Sequence, residues 1–232
     1  MADEQVVKSI RAALERDPEV NLHESPISVR LRDGLVEISG TADNIAIKKH
    51  ALRIAQSRAN GAAVLDHVRL AIGEPREDAA LRQGVLKHLT QESAFHGLAL
   101  VEGDGPPDGH EGDWIAVDAG DGIVHLRGRV NSLSHRRLAE VLAWWTGGTA
   151  DVDNRIHVEP PEQDTDAEIM DAIRIVFDKE PSIDPEQVRA ECRGRVVTLQ
   201  GAVTSEENRR LAAYNCWYIP GVHEVRNELR VT

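Results

Sequence analysis

The sequence contains few aromatic residues, few cysteines and no long apolar run. Aromatic residues make up 3% of its 232 residues, and the two cysteines are Cys192 and Cys216. Two cysteines cannot supply the framework of several disulfides that small secreted domains need, so we expect free thiols and a reducing compartment. No apolar run approaches the 18 residues typical of a transmembrane helix, so we expect no transmembrane segment.

Motifs for catalysis and for cofactor binding are also absent. There is no G-x-S-x-G elbow, no P-loop and no G-x-G-x-x-G after a strand, and the ten histidines form no H-x-x-x-H or H-E-x-x-H pair. Cys192 falls on the inward side of a predicted strand and Cys216 aligns with a helix alanine, and a buried thiol in apolar surroundings is inert. We therefore expect a protein that is not an enzyme, with no catalytic residue, no metal site and no cofactor.

Acidic residues outnumber basic ones, and the excess is not uniform. The formal net charge is −12; residues 1–76 are balanced, whereas residues 77–158 and 159–232 each carry −6. Those two segments would repel nucleic acid, so we expect no nucleic-acid partner. The N-terminus lacks the basic and apolar regions of a signal peptide, so we expect a cytoplasmic protein; a periplasmic one is the alternative if a leader precedes this sequence.

One short pattern occurs three times. It reads DGLVEISG at residues 33–40, DGIVHLRG at residues 121–128 and, more loosely, GRVVTLQG at residues 194–201. Each copy is an apolar, β-branched core closed by a glycine, which predicts a strand that begins in a tight turn. A period of about 75 to 90 residues is too long for a solenoid unit and fits a small domain. The sequence therefore predicts three related domains in tandem.

The three copies share one order of predicted elements: helix, strand, strand, helix, strand. A stripe of apolar residues at i, i+4 and i+8 opens each copy, and a polar residue can cap each second helix. The predicted caps are Asp43, Asn131 and Thr204. We place the domains at residues 1–73, 77–158 and 165–232. The second contains an insertion at 102–113, which we interpret as a solvated acidic loop because its spacing lacks the EF-hand pattern.

Residue motifs late in each copy resemble a known family. The third copy has GAVTS at 201–205 and GVHEVRNELRV at 221–231, and the second has GRVNS at 128–132 and VDNRIHV at 152–158. In the first, Asp66-His67 stands where an asparagine is expected. This arrangement resembles the BON domain, a bacterial module named for osmotically inducible and nodulation proteins. The resemblance implies an α+β fold of three tandem αββαβ modules, each with two helices packed on a three-stranded mixed sheet.

The same resemblance implies a function without catalysis. BON proteins are not known as enzymes; many are envelope or stress proteins thought to contact phospholipid, and others are cytoplasmic and linked to osmotic or ion responses. We expect a stress- or envelope-related binding or adaptor protein that acts through protein–protein contacts or self-association as an oligomer. Peripheral phospholipid binding is one alternative, and a cytoplasmic sensor of potassium, calcium or a small ligand is another.

Basic and aromatic residues of the second helices are the candidate binding residues. Each second helix carries a basic pair, which could bind anionic headgroups or an acidic partner, or could form a solvated helix face. The pairs are Lys48-Lys49, Arg136-Arg137 and Arg209-Arg210. Two aromatic pairs follow, Trp144-Trp145 and Trp217-Tyr218. Neighbouring helix residues point about 100° apart, so both rings of a pair cannot enter one core. We expect packing between the second and third domains, with a partner or membrane anchor as the alternative.

Overall fold

The computed structural model of the protein describes residues 2–232. The chain divides into two compact units, Met1–Ala71 and Ile72–Thr232. The first unit contains one module and the second contains two, so the second and third modules form one body. Among the described residues, no helix combines the length and the apolar character needed to cross a bilayer.

The first module has the predicted order of elements. They are α1 (Ala2–Leu14), β1 (Ile27–Arg32), β2 (Leu35–Ala42), α2 (Ile45–Arg58) and β3 (Val64–Leu70). Strand β2 lies in the centre of the sheet, antiparallel to β1 and parallel to β3. The helical stripe of Ile10 and Leu14 is buried against Val29, Val36 and Ile38 of the sheet. The two helices therefore cover one sheet face and leave the other exposed.

The second module contains the same elements and one additional strand. They are α3 (Asp78–Gln91), β4 (Ala99–Glu102), β5 (Trp114–Gly120), β6 (Ile123–Val130), α4 (Leu133–Trp144) and β7 (Asp151–Val158). The strand order is β4-β5-β6-β7, and β4 runs parallel to β5. The extra strand extends the predicted three-stranded sheet to four, and it immediately precedes most of the predicted loop.

The third module again has three strands. Its elements are α5 (Asp166–Lys179), β8 (Val188–Arg193), β9 (Val196–Val203), α6 (Glu206–Trp217) and β10 (Glu224–Val231). Strand β9 is central, antiparallel to β8 and parallel to β10. The predicted α+β class and the three repeated modules are thus confirmed.

The recurring pattern begins in the same hairpin turn in every module. The two turn residues have positive φ in each copy: Asp33-Gly34 at 51° and 77°, Asp121-Gly122 at 52° and 76°, and Gly194-Arg195 at 57° and 64°. Positive φ at both central residues defines the type I′ turn, whose twist matches that of the flanking strands. Aspartate and glycine adopt this conformation at low cost, which explains the pattern D-G in two of the three copies.

A glycine closes the pattern because the neighbouring backbone leaves no room for a side chain. Gly40, Gly128 and Gly201 all have positive φ. A Cβ at any of the three would overlap a backbone carbonyl oxygen just before or at the start of the adjacent hairpin strand. The glycines therefore serve the fold, and the valines Val36, Val124 and Val197 are buried as expected.

The predicted helix caps are wrong by one residue in every module. The caps are Asn44, Ser132 and Ser205, whose side-chain oxygens accept hydrogen bonds from the backbone N–H three residues later. Each cap residue is extended, and the helix begins directly after it. Thr204 instead accepts a hydrogen bond from the side chain of Asn208, 3.1 Å away. The cap of α6 is therefore Ser205, one residue after the predicted Thr204.

Candidate interaction surfaces

The paired aromatic residues lie where the second and third modules pack together. The ring of Trp144 stacks on that of Tyr218, with centroids 5.9 Å apart and planes inclined by 27°. The indole N–H of Trp145 donates to Oδ1 of Asn215 at 3.0 Å, and Asn215 is fully buried. Trp217 is also buried, at 4% exposure. The predicted packing between these modules is confirmed, whereas a role of these rings as an anchor for a partner remains a prediction.

Arg137 joins the same two modules through a buried guanidinium. Its side chain is 2% exposed; Nε donates to the carbonyl of Pro220 at 3.0 Å, and Nη2 pairs with Oδ1 of Asp164 at 2.5 Å. Oδ2 of Asp164 also forms an ion pair with Nη1 of Arg195 at 3.2 Å. Burial by itself would raise the pKa of Asp164, but the hydrogen bonds and charges of the two arginines outweigh it and lower the pKa. The carboxylate is therefore held in its charged form between the modules.

A second ion pair links the ends of the first helices of these modules. Nζ of Lys179 lies 2.7 Å from Oε2 of Glu92, whose side chain is 8% exposed. Burial would raise the pKa of Glu92, but the hydrogen bond from the N–H of Ala94 and the ammonium of Lys179 lower it. In the connection between the modules, Glu162 accepts the N–H of Leu133 at 2.7 Å, at the start of α4. The ion pair of Lys179 with Glu92 joins the two modules directly, and Glu162 ties their connection to the second module.

The predicted basic pairs do not form a uniform positive surface. Lys48 is buried and pairs with Oδ2 of Asp66 at 2.8 Å, and it also donates to the carbonyl of Val68. Arg137 is enclosed between modules, as described above. Nη1 of Arg209 pairs with Glu206 at 3.1 Å on the same helix. One member of each pair is therefore engaged within the chain.

The remaining members of the basic pairs differ in exposure. Lys49 and Arg136 are half-buried, whereas Arg210 is exposed. Binding of an anionic partner by the six basic residues remains a prediction, and Arg210 is the best placed of them to take part.

The asparagine of the family motif connects the last strand of a module to its second helix. Asn154 donates to the carbonyl of Arg136 at 3.1 Å and accepts the N–H of Ile156. Asn227 makes the matching bonds in the third module. Asp66 stands at this place in the first module and cannot donate, so the ammonium of Lys48 supplies the donor. A partly buried ion pair thus replaces a neutral hydrogen bond.

Neither cysteine has the surroundings of a nucleophile. Sγ of Cys192 lies 3.6 Å from Oδ1 of Asp166, and burial together with this carboxylate raises the pKa of the thiol to about 11. Cys216 is fully buried, and burial raises its pKa further. Over residues 2–232, no group of three or more histidine, cysteine, aspartate and glutamate side chains could hold a metal ion.

A cleft at the edge of the third sheet was not predicted from the sequence. It lies between α5 and β8 and has a volume of about 400 Å³. Apolar side chains line about half of it, and charged side chains line much of the rest. The apolar residues are Met170, Ile173, Phe177, Pro185, Val188 and Ala190, and the charged ones are Arg174, Asp178, Glu186 and Arg189. The only signal in the sequence is indirect, because the second copy alone carries extra residues between its first helix and its hairpin.

Comparison with known families places these modules in one class. The BON domain model matches residues 2–71, 108–160 and 165–232. The chain therefore belongs to the BON domain family, as the sequence motifs predicted.

No curated protein matches the chain. Two solved structures similar to it are of CdsD, a structural protein of the type III secretion system of Chlamydia trachomatis, one of them described as its C-terminal domain. Each is 15% identical and covers 98% of this chain, and the match covers 97% of one CdsD chain and 92% of the other. The TM-score is 0.26 in both cases, so the similarity supports no inference about fold or function.

Proposed function

We propose that this chain is a non-enzymatic binding protein whose BON domains act through contacts with proteins. The observation that carries the proposal is that the aromatic residues are buried where the second and third domains pack together. Trp144, at 8% exposure, and Trp217, at 4%, are packed inside the chain, together with Arg137. Buried aromatic and arginine anchors are typical of protein–protein contacts, and two BON domains of this chain already recognise each other in this way.

Phospholipid binding has less support from the same residues. A membrane surface would need cations and rings that face solvent, but Lys48 and Arg137 are buried and paired with carboxylates. The net charge of −12 also opposes an anionic bilayer. A link to stress or envelope biology rests on the family alone.

Vesicle co-sedimentation together with the native mass in cell extract would test the proposal. We expect no more binding to vesicles of phosphatidylcholine with phosphatidylglycerol than to phosphatidylcholine alone. In extract of the source cells, the chain should migrate well above its monomer mass of 25.5 kDa, and the complex should persist in mild detergent.

Two variants with the same change in charge make the vesicle experiment specific. Arg210→Glu alters an exposed member of a basic pair, and Arg230→Glu alters an exposed position on β10. Vesicle binding that is lost in Arg210→Glu and kept in Arg230→Glu, with a monomer in extract, would contradict the proposal in favour of phospholipid.

A further inference from the structure

The first hairpin strand of every module lies next to the module's first helix, with one side away from the central strand. In an antiparallel pair, alternate residues direct their N–H and C=O groups away from the partner strand. In β8, the carbonyl of Gln187 accepts a hydrogen bond from Ala202, so Gln187 and every second residue after it bond to β9. The backbone groups of Val188, Ala190 and Cys192 therefore point away from β9, and we call them the outward groups. The three modules treat these outward groups in three different ways.

In the second module, a strand of the same chain covers them. Strand β4 pairs with β5 in parallel; the N–H of Ala99 donates to the carbonyl of Asp113 at 3.1 Å, and that of Gly103 donates to the carbonyl of Val117 at 2.9 Å. Leu100 of β4 packs against the core of the module. Strand β4 therefore supplies hydrogen-bond partners for the outward groups of β5, and its Leu100 covers the adjacent part of the core.

In the first module, a side chain occupies the same edge. Val29 is the counterpart of Val117, because each lies four residues before the aspartate that begins the hairpin turn, Asp33 or Asp121. Its carbonyl accepts a hydrogen bond from Nη2 of Arg11 in α1, at 3.2 Å. A guanidinium thus takes the place of an added strand at Val29, and a cleft of about 460 Å³ lined in part by Val7 and Leu31 lies beside it.

In the third module, the N–H of Val188 donates to the carbonyl of Asp184 at 3.0 Å. Among residues 2–232, neither a strand nor an arginine covers the outward groups of Ala190. Ala190 is the counterpart of Val29, and Arg174 is the counterpart of Arg11 on the first helix. Nη1 of Arg174 instead pairs with Asp171 at 2.8 Å, and the side chain of Arg174 lines the cleft without bonding to β8. The cleft of about 400 Å³ lies beside β8 on the side where β4 and Leu100 lie beside β5 in the second module.

We propose that the cleft between α5 and β8 accepts an extended segment of a partner protein by strand addition, parallel to β8. The proposal rests on the proposed protein-binding function and names its site. The segment resembles β4: its backbone bonds to the carbonyl of Val188 and to the N–H and carbonyl of Ala190, and an aliphatic side chain enters the cleft. The occupied edge of the second module is the template for this arrangement.

The chain itself supplies a probe for the test. A fluorescent peptide with the sequence of residues 97–104, GLALVEGD, would be titrated with the full chain and followed by anisotropy. Ala99 and Gly103 direct their N–H groups toward β5, so Val101 does as well and Leu100 points away. N-methylation at Val101 should lower the affinity about tenfold or more, and N-methylation at Leu100 should not.

Variants of the protein extend the test to the cleft. Ala190→Pro removes an outward N–H and should lower the affinity about tenfold, whereas Ala190→Ser keeps the N–H and the affinity. Absence of saturable binding up to about 1 mM peptide, or equal effects of the two N-methylated peptides, would overturn the proposal. A dimer that dissociates in Ala190→Pro would overturn the choice of a partner protein and assign the cleft to a second copy.

The outcomes separate this proposal from the proposed function. Loss of peptide binding with an intact high-mass complex in extract would overturn the cleft alone. A monomer in extract that binds anionic vesicles would overturn the protein-binding function, and the cleft proposal with it.

Discussion

The hydrogen bond between Trp145 and Asn215 offers a direct test of the contact between the second and third domains. Asn215 is fully buried, and within residues 2–232 its Nδ2 has no partner, so its bond from Trp145 is the contact that offsets the burial of the amide. Trp145→Phe removes the donor and leaves the whole amide unsatisfied. This should lower the free energy of unfolding by about 1–3 kcal/mol.

Adding Asn215→Leu to Trp145→Phe should recover part of the lost free energy of unfolding. Position 215 corresponds to Leu142 in the second domain, so Asn215→Leu replaces a poorly satisfied amide by an apolar side chain of similar size. Replacing both partners by apolar groups is close to neutral. The double variant should therefore be more stable than Trp145→Phe alone, with a coupling energy of about 1–2 kcal/mol between the two sites.

Urea unfolding followed by tryptophan fluorescence measures this cycle. All four tryptophans lie in residues 72–232, so the signal reports on the unit that contains the contact. Trp114→Phe is the matched control, because Trp114 lies in β5 and should be additive with Asn215→Leu. Additivity of Trp145→Phe and Asn215→Leu within about 0.5 kcal/mol would refute the reasoning.

Three further predictions concern other positions. Gly201→Ala should destabilise the third domain by about 1–3 kcal/mol in urea unfolding, because a Cβ there meets a backbone carbonyl at positive φ; an unchanged midpoint would contradict this. Lys48→Met should cost about 2–3 kcal/mol by far-UV circular dichroism, since Asp66 would keep a partly buried charge, and adding Asp66→Asn should restore about half of the loss; no restoration would count against the ion pair. The lowered pKa of Asp164 gives stability that is complete above the unfolded value of about 4 and lost as the pH falls through the folded value. The fluorescence-monitored urea midpoint should therefore decrease below about pH 4, and less steeply in Arg137→Met; parallel curves would contradict it.

The repeat itself allowed most of the fold to be predicted. Turn residues with positive φ and a glycine that must avoid a neighbouring carbonyl leave a clear signal, because few residue types tolerate those conformations. Helix caps were misplaced by one residue because two adjacent polar residues, such as Asp43 and Asn44, both satisfy the sequence rule. Only the backbone shows which of them is extended.

The surfaces were less predictable because they depend on neighbours that are distant in the sequence. The pair Arg136-Arg137 has the pattern of a solvated or binding face, yet Arg137 is enclosed by Asp164 of the connection and Pro220 of the third module. Strand β4 has only four residues, too few for a periodic signal. The cleft beside β8 gains its meaning only when the edges of the three modules are compared, and that comparison needs the folded structure.

Photo-crosslinking at the cleft, in cells that make this protein, tests the central claim of protein binding most directly. A benzophenone side chain would replace Met170, which lines the cleft, and in a matched variant Arg230, an exposed position on β10 at the opposite edge of the same sheet. The account predicts a discrete protein adduct at Met170 and none at Arg230. Lipid adducts, equal protein adducts at both positions, or no adduct at Met170 would contradict it.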